Sequence, residues 1–145
     1  MIYNFLFPTK PNTTKVSLFL LAVRIIFGIL LMNHGIQKWS NFQELSTAFP
    51  DPIGLGSTLS LIMIICAEVG CSIFLIVGAF TRLATIPLIF SMLVVILIVH
   101  GNDPFQMKEL PLLYLVIYIF LFFTGAGKIS FDSIILKKIN TNITK

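Results

Sequence analysis

The chain has 145 residues, 57% hydrophobic and 11% charged, with a formal net charge of +4 and a mean hydropathy of +0.97. Soluble domains carry roughly a quarter charged residues, and a domain of about 150 residues hides only about 70% of the surface its unfolded chain exposes. Water is therefore excluded as the solvent for most of this chain, and the expected partner is a lipid bilayer, not a nucleic acid.

Four apolar runs follow in chain order, at residues 16–36, 57–80, 83–99 and 110–126. Each approaches the roughly 20 residues that a helix rising 1.5 Å per residue needs to cross about 30 Å of hydrocarbon. The runs are continuous, whereas membrane strands alternate lipid-facing and lumen-facing positions, so a barrel is excluded and helices are expected. The predicted fold is an all-α membrane protein, a four-helix transmembrane bundle forming one domain over residues 1–145.

The first run follows basic residues as a signal peptide does, but it carries Arg24 within the span and no A-x-A-like cleavage site follows, so it is read as retained. The link after it, residues 41–56, holds Pro50, Asp51, Pro52, Gly54 and Gly56, which is strong turn chemistry. Between the second and third runs stand only Thr81 and Arg82, which predicts a tight antiparallel hairpin. Gly101-Asn102-Asp103-Pro104 opens the third link. After the fourth run, Phe131, Ile134, Ile135 and Ile139 beside Lys137 and Lys138 suit either a short amphipathic helix on an anionic leaflet or a frayed basic tail.

Basic residues divide unequally. Lys10, Lys15, Arg82, Lys128, Lys137, Lys138 and Lys145 fall in the tails and the hairpin turn, whereas the longer links hold Lys38 and Lys108. The positive-inside rule then predicts that both the N and C termini are cytoplasmic. Asn12-Thr13-Thr14 and Asn142-Ile143-Thr144 match the glycosylation triplet, but on the cytoplasmic face they would not be modified.

Chemistry should reside in the few ionisable residues of the spans, because each is costly in lipid without a partner or a wet cavity. Arg24 lies about 12 Å from the cytoplasmic start of its helix and Glu68 about 17 Å from the outer start of its own, so the two are predicted to share a level and to pair. Such a pair either locks two helices or holds Glu68 for proton handling or polar ligand binding. Gly28 and Gly35 share a helical face with Arg24 and Lys38 and would permit close helix packing. His34, about 27 Å up the first helix, and His100, about 26 Å up the third, are expected near the outer interface with Lys38, Trp39 and Asp103. No compact ligand spacing supports a metal there. A hydrogen bond from a histidine to a quinone carbonyl would suit this position, as would simple helix capping. Cys66 and Cys71 point apart on one helix and are not expected to form a disulfide. Tyr114 and Tyr118, one turn apart, are read as packing residues.

Arg24, His34-Gly35 and Lys38 in the first span, Glu68, Gly70, Gly78 and Thr81-Arg82 around the second, and Gly125, Gly127, Lys128, Ser130 and Asp132 after the fourth together resemble the DoxX family. The resemblance implies a small multi-pass protein of a bacterial inner (cytoplasmic) membrane, related to subunits of thiosulfate:quinone oxidoreductase. It implies that Arg24, His34, Lys38 and Glu68 are the functional positions, with His34 and Lys38 contacting a substrate or quinone head group and Glu68 neutralising Arg24 or taking a proton. His100 joins His34, Lys38 and Glu68 as a ligand or quinone candidate from its expected place near the outer interface, and Arg82 and Asp132 are expected to form a structural pair tying the hairpin turn to the tail, beside the Arg24 and Glu68 pair. No motif for an intrinsic flavin, nicotinamide, haem or iron–sulfur cofactor is present, so an enzymatic role would require a protein partner carrying the redox centre. The readings that stand are a quinone-linked subunit, a non-catalytic scaffold of a larger membrane complex, and a small transporter or channel, which would need a homo-oligomer to enclose a path.

Overall fold

The computed structural model describes residues 13–143. Lys10, Lys145 and parts of both glycosylation triplets lie outside that range. Among the described residues six helices follow one another: α1 Thr13–Ser40, α2 Phe42–Ala48, α3 Ser57–Val77, α4 Thr81–Val99, α5 Phe105–Thr124 and α6 Phe131–Ile143. Four of them, α1, α3, α4 and α5, are long and apolar enough to cross a membrane. The protein is thus an all-α, multi-pass membrane protein.

Lipid is the natural neighbour of its surface. Leu18, Phe19, Leu83, Phe90, Phe120 and Phe123 are all more than half exposed, an arrangement that water would penalise at roughly 25 cal/mol per Å². The interior is small, built on Leu31, Leu75, Leu88, Met92, Tyr114, Tyr118 and Leu121. Backbones approach most closely between α1 and α3, α3 and α4, and α4 and α5. Across the remaining side of the bundle, α1 and α5 meet through rings: Phe27 stands edge-on to Tyr114 with centroids 5.7 Å apart.

Helix ends depart from the sequence reading where capping decides them. The second span stops at Val77 rather than continuing to residue 80, because Gly78 takes a left-handed conformation, φ 73°, that ends a helix without strain. The hairpin turn is therefore Gly78-Ala79-Phe80, and Thr81 and Arg82 open α4 instead of forming the turn. The fourth span starts early, at Phe105 behind the extended Pro104, and stops before Gly125. In the first link the polar run Phe42–Ala48 coils into α2, which lies against the start of α3, where the Thr58 hydroxyl donates to the Ser46 carbonyl at 2.9 Å.

The two ends of the bundle differ. At the turn end, the segment after α5 folds back over α1 and the hairpin: the Lys128 amide donates to the Ser17 hydroxyl at 3.2 Å, and the Asp132 amide to the Gly78 carbonyl at 2.9 Å. The Arg82 and Asp132 pair expected from the sequence does not form. Its carboxylate accepts the backbone N–H groups of Phe80 at 2.7 Å and Thr81 at 3.0 Å, because the first amides of α4 lack helical acceptors and carry the positive end of its dipole. Arg82 instead donates to the Phe123 carbonyl at 3.2 Å. Asp132→Ala should then cost about 1–2 kcal/mol, as loss of a helix cap does, and Asp132→Asn less; thermal unfolding in detergent of the two variants beside the parent checks this order.

The loop end gathers α2, residues 49–56 and the α4–α5 turn. His100 Nδ1 lies 2.7 Å from the Asp103 carboxylate, and Lys108 donates to the Gly101 carbonyl at 2.8 Å. These contacts brace the turn that carries His100.

Candidate functional site

The register of α1 against α3 governs the site. Gly35 has no side chain, and a Cβ there would fall 2.7 Å from Val69 Cγ2 and 2.9 Å from the Glu68 Cβ; Gly28 is similarly tight against Ile76. The two backbones close on these positions, which sets residues 34–38 of α1 beside Glu68. Arg24 lies three turns away, about 16 Å along the helix, at the level of Gly78.

The expected Arg24 and Glu68 pair is replaced by another. Lys38 Nζ donates to both Glu68 carboxylate oxygens, at 2.8 and 2.6 Å. The Glu68 side chain is 5% exposed and that of Lys38 25%, so the pair is held largely out of solvent, where Coulomb attraction is strong and an unpartnered charge costly. Arg24 is fully buried at the turn end and donates through Nη2 to the Ile129 carbonyl at 2.6 Å. The error lay in anchoring both helices at their apolar starts: α1 is 28 residues long, and it is slid toward the turn end relative to α3.

The same slide moves His34. Rather than emerging at the outer interface, it lies one turn deeper than Lys38, near the middle of the bundle, with its ring edge-on to Tyr114 at 6.3 Å between centroids. His100 does lie at the loop end, where α4 closes.

Glu68 is carried on a six-residue π-helical turn, Cys66–Cys71, within α3. Such wide turns interrupt the regular ladder and recur at functional sites. A second, Val95–Val99, leads into His100. Both distortions border one cavity of about 400 Å³, lined by residues of all four spans. His34, Lys38, Glu68 and His100 all line it, as does Tyr114; Met63, Ala67, Phe90 and Val95 supply apolar wall. Ligand pockets of roughly 300–1,000 Å³ are typically apolar with a few polar groups converging at one place, and this cavity has that form.

The link before α3 supplies a roof. Phe49, Pro50, Pro52 and Ile53 line the cavity from above, and Asp51 clasps the loop that carries them. Its carboxylate accepts the amides of Leu55 at 2.9 Å and Gly56 at 2.7 Å and the Ser60 hydroxyl at 2.9 Å. The Gly56 amide, with lesser help from Ser60, Leu55 and Gly54, holds this carboxyl below the usual aspartate range. A depressed carboxylate contributes stability that is complete above its unfolded pKa and fades as pH falls through the lowered folded value. The Gly56 amide resonance should therefore titrate below the pKa of a free aspartate and should not titrate in Asp51→Asn; a midpoint at or above the free value would remove the clasp.

Among the described residues no three His, Cys, Asp or Glu side chains gather as a metal donor set, and Cys66 and Cys71 are free thiols. Two features escaped the sequence reading. Tyr114 looked like a packing residue, because a Tyr-x-x-x-Tyr stripe is ordinary in a core, and its stacking on Tyr118 at 5.9 Å bears out that half of its role. The roof was legible only as turn chemistry; the signal for more was the apolar pair Phe49 and Ile53 flanking two prolines in an otherwise polar link.

The family model named DoxX matches residues 19–101 of the chain. Two curated relatives are both called uncharacterized proteins of Haemophilus influenzae. One is 32% identical over 127 residues, 83% of this chain and 92% of its own length, and the other 28% identical over 126 residues, 81% of this chain and 83% of its own. No solved structure matches.

Proposed function

The chain belongs to the DoxX family, and on that premise we propose that it is a quinone-binding subunit of a membrane redox assembly, with the head group received in the loop-end cavity. The observation that carries this reading is the convergence of Lys38, Glu68, His34 and His100 on one cavity of about 400 Å³ whose other walls are apolar.

A quinone nucleus is flat and apolar, with two carbonyl acceptors, and these residues fit it. The Lys38 ammonium is a donor that already points into the bundle, and the His34 ring, braced edge-on by Tyr114, sets a second polar group one helical turn deeper. Glu68 balances Lys38 in the resting site and is the group placed to take or release a proton when that balance is disturbed. His100 stands at the rim with Nδ1 committed to Asp103, which makes it a relay between the cavity and the aqueous side. When bound, a quinone supplies two-electron, two-proton redox chemistry; this chain contributes binding, orientation and proton traffic, and the electrons come from a partner protein. The basic tails and hairpin turn favour the turn end in the cytoplasm and the cavity at the opposite end of the bundle, and the bacterial relatives favour an inner membrane.

Lipid extracts of the purified protein should contain ubiquinone or menaquinone in near-stoichiometric amount, and His34→Ala and Glu68→Gln should each lower its retention. Extracts of the parent protein that contain no quinone would overturn the proposal.

A further inference from the structure

We propose that a second pocket, at the turn end, holds the head group of one anionic phospholipid from the adjoining leaflet. The pocket has a volume of about 810 Å³ and lies among the first turns of α1, the start of α4 and α6. Arg82 and Lys128 border it as cations. Arg82 donates one nitrogen to the Phe123 carbonyl, which orients the guanidinium while its other N–H groups have no acceptor among the described residues. A planar guanidinium held in this way suits the paired oxygens of a phosphodiester.

Thr81 also lines the pocket. It is fully buried, and its hydroxyl has no hydrogen-bond partner among the described residues. A buried hydroxyl left unpaired is costly, and Thr81 sets a polar floor beneath the pocket beside Arg82. Asp132, the acidic residue in this lining, has its carboxylate turned to the amides of Phe80 and Thr81, at the positive end of the α4 dipole. A head group of net negative charge meets Arg82 and Lys128 in a lining with this one acid.

The rest of the wall argues for a lipid over free phosphate. Val16, Leu20, Leu83 and Leu136 are apolar and run from the pocket toward the lipid-facing surface, where Leu83 is 65% exposed. They form a surface for acyl chains, at the level where the spans end and head groups begin. The net charge of +4 adds a field of the right sign.

The test is native mass spectrometry of the full chain released from bilayers containing equal phosphatidylglycerol and phosphatidylethanolamine. One phosphatidylglycerol per chain should remain bound in preference to phosphatidylethanolamine. Arg82→Gln should lower its retention about fivefold, the effect of one basic side chain at an anionic surface, and Arg82→Lys should keep most of it. Leu136→Glu, at an exposed position where folding is not at stake, should repel the lipid, and excess inorganic phosphate should not displace it. Equal retention of the two lipids, retention unchanged in both Arg82→Gln and Leu136→Glu, or displacement by inorganic phosphate would overturn the proposal.

Discussion

Replacing Lys38 with methionine is expected to lower the stability of the bundle by about 3–5 kcal/mol, the usual cost of stripping a buried charge of its partner. Glu68 would keep a carboxylate that is 4% exposed and that makes no other ion pair among the described residues. Removing both charges is a different perturbation. The Lys38→Met, Glu68→Gln double variant has no ion to desolvate and should regain most of the loss, so the double-mutant cycle should show strong coupling. Glu68→Gln alone should cost less than Lys38→Met, because the lysine is a quarter exposed and its flexible stem can carry the ammonium to solvent. Thermal unfolding of the four proteins in one lipid composition measures the cycle. If the double variant is as unstable as Lys38→Met, the pair is not what holds these helices. The double variant also separates fold from function: it should stay folded and lose quinone.

Gly78→Ala should be the most damaging change at the turn end, by about 2–5 kcal/mol. Two costs add. The residue has φ 73°, and placing a Cβ in that left-handed region costs roughly 1–2 kcal/mol. The new methyl would also fall onto the Arg24 guanidinium and lie 2.9 Å from the Ser130 Cβ, and overpacking of this kind costs about 1–3 kcal/mol. Arg24 cannot swing aside cheaply, because it is fully buried and tied to the Ile129 carbonyl. In an Arg24→Met background most of the steric part should go, leaving Gly78→Ala with its backbone penalty and the Ser130 contact. Equal losses in the two backgrounds would show that the arginine is not what the methyl meets.

These two sites also mark how far the sequence could be read. The spans and their number were legible because hydropathy is local: a run such as 57–80 is apolar whatever it packs against. Their ends were not, since Gly78 and Gly125 lie inside apolar runs and stop the helices only through the backbone conformations they adopt. The set of side chains able to do chemistry was legible too, since lipid leaves so few of them, and His34, Lys38, Glu68 and His100 do line one cavity. Their partners were not. Depth measured from the ends of apolar runs placed Arg24 beside Glu68, and it missed because the register is set by packing: Gly35 closes on Glu68 and Gly28 on Ile76, which carries Arg24 toward the turn end.

The sequence alone therefore determined a four-span membrane bundle with a small inventory of charged side chains, because both follow from composition along a single helix. The tertiary structure decided which charges meet. The axial slide of α1 on α3 is set where glycine lets the two backbones touch, and it gives Glu68 to Lys38. The return of residues 124–132 over the hairpin gives Asp132 to the amides of α4 and Ile129 to Arg24, contacts that span 51 to 105 residues of chain. No local pattern encodes contacts at that separation; they exist only once the helices are packed.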